Sequence, residues 1–211
     1  MGSDNGAKAV LSETEKKASL VPFVIFQIVP PAIGFGIAMA IFKLGATASY
    51  ESKIKTMASL DLQWAMLSLY ILGRVINMVN FLPTIFKSKI MSADAGNVRS
   101  NPFIYCIGGE TAQKVVFVDE GPIGQYNRAN RSLQHMIENF GVILAGLFAA
   151  STIYPFPVFV ITCIFCVGRI IHLIGYTGGY GKHAPGFTLS FICTLTLEGL
   201  LAVAALKGFS V

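Results

Sequence analysis

The chain has 211 residues, 54% of them hydrophobic and only 13% charged, with a formal net charge of +5 and a mean hydropathy of +0.63. Soluble domains carry charge on about a quarter of their residues, so this chain lacks the polar surface of a soluble protein. Its basic residues are spread over loops with no aromatic interleaving, which argues against a nucleic-acid partner and fits membrane topology better.

A helix crossing about 30 Å of hydrocarbon needs ~20 mostly apolar residues. Such stretches occur at 20–42, 61–84, 134–154, 157–176 and 187–206. They are apolar on both parities, unlike the alternating segments of a β-barrel, so the expected fold class is an all-α integral membrane protein with five spans. Ahead of the first span, residues 1–19 form a polar tail. It lacks the basic n-region, short apolar core and small-residue cleavage site of a signal peptide. Met1-Gly2-Ser3 opens like a myristoylation site, but Gly6 stands where that motif needs Ser or Thr.

Five spans put the tail, the 85–133 loop and the 177–186 loop on one face, here called side one. That face carries Lys8, Lys16, Lys17, Lys87, Lys89, Arg99, Lys114, Arg128, Arg131 and Lys182, whereas side two carries Lys43, Lys53, Lys55 and Lys207. The positive-inside rule makes side one cytoplasmic. The short uncharged turn Ser151–Pro157 predicts an antiparallel hairpin of spans three and four. The 85–133 segment is long for a loop, as functional or disordered loops are, with Val115–Val118 a weak strand candidate. Cys163 and Cys166 form a CxxC inside an apolar run with no second pair, so they read as small hydrophobes and no metal site is expected.

Polar groups at membrane depth are costly, which makes those that remain informative. Arg169, His172 and Tyr176 stand at i, i+3 and i+7, on one helical face at the side-one end of span four. Arg131, His135 and Glu138 form a second stripe, at i, i+4 and i+7, on the helix leading into span three. Interfacial anchoring and a self-paired helix end are the plain readings of these stripes. Yet the connecting turn makes the two spans neighbours, so both stripes sit at one membrane level. Together they suit a small anionic or zwitterionic ligand. Deeper still, Arg74 and Glu198 lie some eight to eleven residues in from side one, roughly 12–17 Å at helical rise. They are expected to form a structural ion pair, within or between subunits.

Asn127 to Asn139, with Arg131, His135 and Glu138, resembles the RxxxNxxE helix of the MAPEG superfamily, the membrane-associated proteins of eicosanoid and glutathione metabolism. Gly168 to Tyr180 is similar to the RxxHxxxY helix end of the same superfamily. The likeness runs from about residue 60 to the C-terminus. It implies a four-helix bundle over 60–211, assembled as a homotrimer among membrane lipids, with 20–42 as an added transmembrane helix. It also implies glutathione as co-substrate, bound by Arg131, His135, Glu138, Arg169, His172, Tyr176 and either Lys87 or Lys89. Two departures stand out: His135 replaces the motif's Asn, and no Arg follows Tyr176, which leaves Lys182 and His183 as catalytic candidates beside Tyr176.

The implied activity is glutathione transfer to a lipophilic electrophile, or reduction of a lipid hydroperoxide. The competing expectation is a non-catalytic lipid-binding protein, or a structural subunit that joins a larger membrane complex through its extra helix. A transporter is disfavoured, since no inverted repeat is visible. The resemblance points to the endoplasmic reticulum, with a mitochondrial or other organelle membrane as the alternative.

Overall fold

The computed structural model describes residues 21–88, 103, 105–108, 114–179 and 181–210; the 1–19 tail and Lys89 lie outside them. In chain order the elements are α1 (Val21–Leu44), α2 (Thr47–Ala58), α3 (Gln63–Ser88), β1 (Tyr105–Gly108), β2 (Lys114–Phe117), α4 (Gly121–Ser151), α5 (Pro155–Gly178) and α6 (Ala184–Gly208). Among the described residues, five helices (α1, α3, α4, α5 and α6) are long and apolar enough to cross a membrane. The protein is an integral membrane protein whose spans are all helical, with a small β-hairpin on one side.

Two expected loops contain structure. The 43–60 segment is mostly α2, which buries none of its residues. Its first residue also helps to end α1, because Thr47 Oγ1 donates to the Phe42 carbonyl at 2.7 Å, one of the acceptors that a helix end leaves open. The 85–133 segment is shortened from both ends, since α3 runs on to Ser88 and α4 starts at Gly121. Between them, β1 and β2 pair antiparallel, with Tyr105 opposite Phe117 and Gly108 opposite Lys114.

The early start of α4 has a local cause. Gly121 takes φ +59, open to a residue without Cβ, and Pro122 follows with its φ already fixed for a first helical turn. The turns that follow are polar, so hydropathy does not register them. Their polar groups face protein: Asn127, Arg128, Asn130 and Ser132 are all buried. Asn127 Nδ2 donates to the Val118 carbonyl at 2.7 Å, which ties the strand exit to the helix.

In the bundle α5 is the central helix, packed on α3, α4 and α6. Leu72, Val79, Leu133, Leu147, Val158, Leu173 and Leu197 meet in the core. Cys166 and Cys193 are buried there as free thiols, and Cys163 is half-buried. At the side-one end, glycine lets α5 and α6 approach closely. A Cβ at Gly186 would meet the backbone of His172, with the His172 Cα only 2.7 Å away.

α1 lies beside the bundle against α3, with Phe26 and Phe81 ring centroids 4.8 Å apart. Its interior holds Pro30 and Pro31. Pro31 has no N–H, so the Gln27 carbonyl lacks its regular helical donor. Arg74 supplies one: its Nη2 donates to the Gln27 carbonyl at 3.1 Å and to Gln27 Oε1 at 3.0 Å. The expected Arg74–Glu198 pair therefore does not form within one chain. Arg74 turns toward α1, whereas Glu198 is exposed on α6, across the bundle.

Candidate functional site

Four helix ends converge at side one: the start of α4, the end of α5, the start of α6 and the end of α3. The end of α5 is held by Arg128 of α4. Its Nη2 donates to the Thr177 carbonyl at 3.3 Å, and its Nη1 bonds Asp119 Oδ1 at 2.9 Å and the Asp119 carbonyl. A cation on the last carbonyls of a helix also opposes the negative end of its dipole. Arg128 thus fixes the height at which the two polar stripes meet.

Ser132 then joins the stripes. Its Oγ lies 3.0 Å from His172 Nδ1, and its carbonyl accepts from Arg169 Nη2 at 3.1 Å. Arg169 Nη1 lies 3.1 Å from His135 Nδ1. A guanidinium only donates, so Nδ1 of His135 is the acceptor and the neutral ring carries its proton on Nε2. Ring stacking extends the array: His135 and His172 centroids are 5.5 Å apart, as are those of His172 and Tyr176. Tyr176 and His183 are closer, at 4.6 Å.

These rings line a cleft of about 200 Å³ bounded by Arg131, His135, His172, Tyr176, His183 and Phe187. His172 is its buried wall, 2% exposed. Arg131 stands at the rim, paired with Glu138 at 3.1 Å, both side chains being nearly half exposed. That pair bridges i to i+7 directly, because His135 is taken by Arg169. On the membrane side, His135 and Phe187 also border a mainly apolar groove of about 270 Å³ between α4 and α6.

The structure brings together Arg131, His135, His172, Tyr176 and His183, with Arg169 one layer below. Glu138 does not line the cleft and reaches it only through Arg131. Lys182 is exposed in the α5–α6 turn, so of the two residues expected to replace a missing Arg it is His183 that faces Tyr176. Lys87 ends α3 and does not line the cleft. Ser132, Arg128 and Phe187 escaped the sequence reading. Ser132 and Arg128 were detectable in principle, since each stands three residues from a stripe member and so faces the same helix.

Arg169 sets the electrostatics. It is 3% exposed, and its Nε finds no hydrogen-bond partner among the described residues. The ion pairs formed by the described residues are Arg128–Asp119 and Arg131–Glu138, so no carboxylate there balances Arg169. Two neutral acceptors hold a buried cation beside a cleft.

The MAPEG family model matches residues 82–203. The chain belongs to the MAPEG family. The match runs from the end of α3 through most of α6, so it contains every residue that lines the cleft and leaves α1 and α2 outside. No curated protein matches the chain.

Proposed function

We propose that this MAPEG protein is a glutathione-dependent membrane transferase acting on lipophilic electrophiles, its cleft holding the tripeptide at side one. Family membership points to a membrane role related to eicosanoid or glutathione metabolism in general. The observation that carries the finer reading is Arg169, a buried guanidinium beside the cleft with only neutral acceptors. An anionic ligand supplies the missing charge. Glutathione has two carboxylates and an ammonium, which match Arg131 and Glu138 at the rim.

In the reaction the thiol loses its proton, and the thiolate forms a carbon–sulfur bond while the electrophile's leaving group departs or its strained ring opens. Donors near sulfur stabilise the thiolate over the thiol. Tyr176 and His183, in contact with each other on the cleft wall, are the groups placed for this. The lipophilic partner arrives from the bilayer past Phe187. The same site in a homotrimer of the endoplasmic reticulum membrane is the assembly and location that we attach to this reading.

Calorimetry with glutathione on the detergent-purified protein, beside a chromogenic aryl-halide assay, tests the reading. Binding and turnover that both weaken in Arg131→Ala support it. No binding at millimolar glutathione rejects it.

One observation favours a second reading, a non-catalytic subunit of a larger membrane complex. None of the described side chains of α1 is buried, so nearly all of that helix is open to a partner. Binding without turnover, together with a stoichiometric partner retained in mild detergent and lost on removing α1, would select it.

A further inference from the structure

Arg74 of α3 is only partly satisfied within the chain. Its Nη2 donates to the Gln27 carbonyl and to Gln27 Oε1, whereas among the described residues its Nε and Nη1 make no hydrogen bond and no carboxylate pairs with it. The guanidinium meets α1 at Gln27, four residues inside the span that starts at Phe23, about 6 Å at helical rise. A long basic side chain on an apolar stem thus reaches the level on side one at which acyl chains give way to headgroups.

That guanidinium stands in an open groove of about 580 Å³ between α1 and α3. Toward side one, Asn77, Asn80 and Thr84 follow it on α3, all exposed and spread over two helical turns. Lys87 stands three residues beyond Thr84, on the same face of α3, and does not line the cleft. Away from side one, Pro30 and Pro31 border the groove and α1 continues with Ile33 and Ile37 exposed. No carboxylate lines the groove, and none of its residues lines the cleft. Of the lining residues, only Thr84 falls within the stretch that the family model matches.

We propose that this groove binds an anionic phospholipid of the side-one leaflet. The phosphate sits on Arg74, the polar headgroup extends past Asn77 and Asn80 toward Lys87, and the acyl chains descend along α1. The order of the groups carries the argument: a cation at phosphate depth, hydrogen-bonding side chains outside it and apolar surface inside it. Nε and Nη1 offer the phosphate the planar fork that a guanidinium presents best. Basic pockets between spans on the more basic face are suited to anionic headgroups. A carboxylate on a partner span would use Arg74 alone and leave the outer polar stripe unmet. The bound headgroup touches both helices, so it also seats α1, none of whose described side chains is buried, against the bundle. This site does not rest on glutathione binding.

The test is native mass spectrometry of the delipidated full chain, titrated with phosphatidylglycerol or phosphatidylcholine of equal chain length, beside thermal unfolding in each lipid. Wild type is expected to bind phosphatidylglycerol about tenfold more tightly, the worth of one charge-assisted contact, and to melt higher in it. Arg74→Gln is expected to abolish the preference, and Arg74→Lys to keep part of it. Should Arg74→Gln fail to fold, Asn77→Leu/Asn80→Leu, at exposed positions, is expected to lower the preference several-fold. Equal binding of the two lipids by wild type overturns the proposal, as does a preference that survives Arg74→Gln. Oleate or inorganic phosphate competing as well as phosphatidylglycerol also overturns it, giving the site to a free anion. So does a stoichiometric protein that co-purifies with wild type and is lost in Arg74→Gln while neither binds phosphatidylglycerol preferentially, which gives Arg74 to an acidic partner span.

Discussion

Arg169 Nη1 and His135 Nδ1 lie 3.1 Å apart, joining α5 to α4 at the base of the cleft. The contact explains how His is accommodated where the motif has Asn: both offer one acceptor to the guanidinium. His135→Asn is therefore expected to keep the fold and the glutathione affinity. His135→Leu removes the acceptor from a buried cation and should cost about 1.5–3 kcal/mol. Unfolding of the purified variants in detergent distinguishes the two, and equal stability of Asn and Leu variants would contradict this role.

Arg131 is a different case. Its pair with Glu138 is nearly half exposed, and exposed pairs contribute at most ~1 kcal/mol to stability. Arg131→Ala should leave the melting temperature almost unchanged. Glutathione affinity is expected to fall by about tenfold or more, the worth of one charge-assisted contact. Calorimetry checks the affinity, and a parallel melt checks the fold.

Tyr176 and His183 touch at 4.6 Å between ring centroids, whereas Lys182 is exposed and does not line the cleft. Substitution of the first two should lower kcat with little effect on glutathione affinity, because thiolate stabilisation acts on the reacting sulfur. A loss of about tenfold or more is expected for Tyr176→Phe. Lys182→Ala should retain near-wild-type turnover. The reverse ranking would move the thiolate contact to the turn.

The spans were legible because each is continuous in hydropathy, and both stripes were legible because helical spacing puts them on single faces. The start of α4 was not. Arg128, Asn130 and Ser132 are polar in sequence but buried in the fold, and a rule that equates polar with exposed reads them as loop. The partner of Arg74 was missed for a related reason. A cation in hydrocarbon was matched with the nearest carboxylate by depth, whereas Pro31 had already released a backbone acceptor at Gln27. Phe187 carries no chemical signature, and only the packing of α6 places it between cleft and groove.

Gly186 holds α6 against the His172 backbone, where even a methyl group would collide with main-chain atoms. Gly186→Ala should force the helices apart at a cost of about 1–3 kcal/mol and lower glutathione affinity by displacing His172 and Tyr176. Gly199, with nothing near its Cβ direction, is the control. Gly199→Ala is expected to be neutral or mildly stabilising, through the better helix propensity of Ala. Thermal unfolding of both variants provides the comparison.

The Pro30-Pro31 step in α1 also bears on biogenesis. During synthesis α1 leaves the ribosome before α3, so the Gln27 carbonyl waits in the membrane before the side chain that will bond it exists. Arg74 then enters a bilayer that already contains an acceptor made for it. The added helix thus acts as an internal insertion partner for a charged span. On that basis, deleting α1 should impair membrane integration of α3 in a cell-free translocation assay, and Arg74→Leu should relieve that defect.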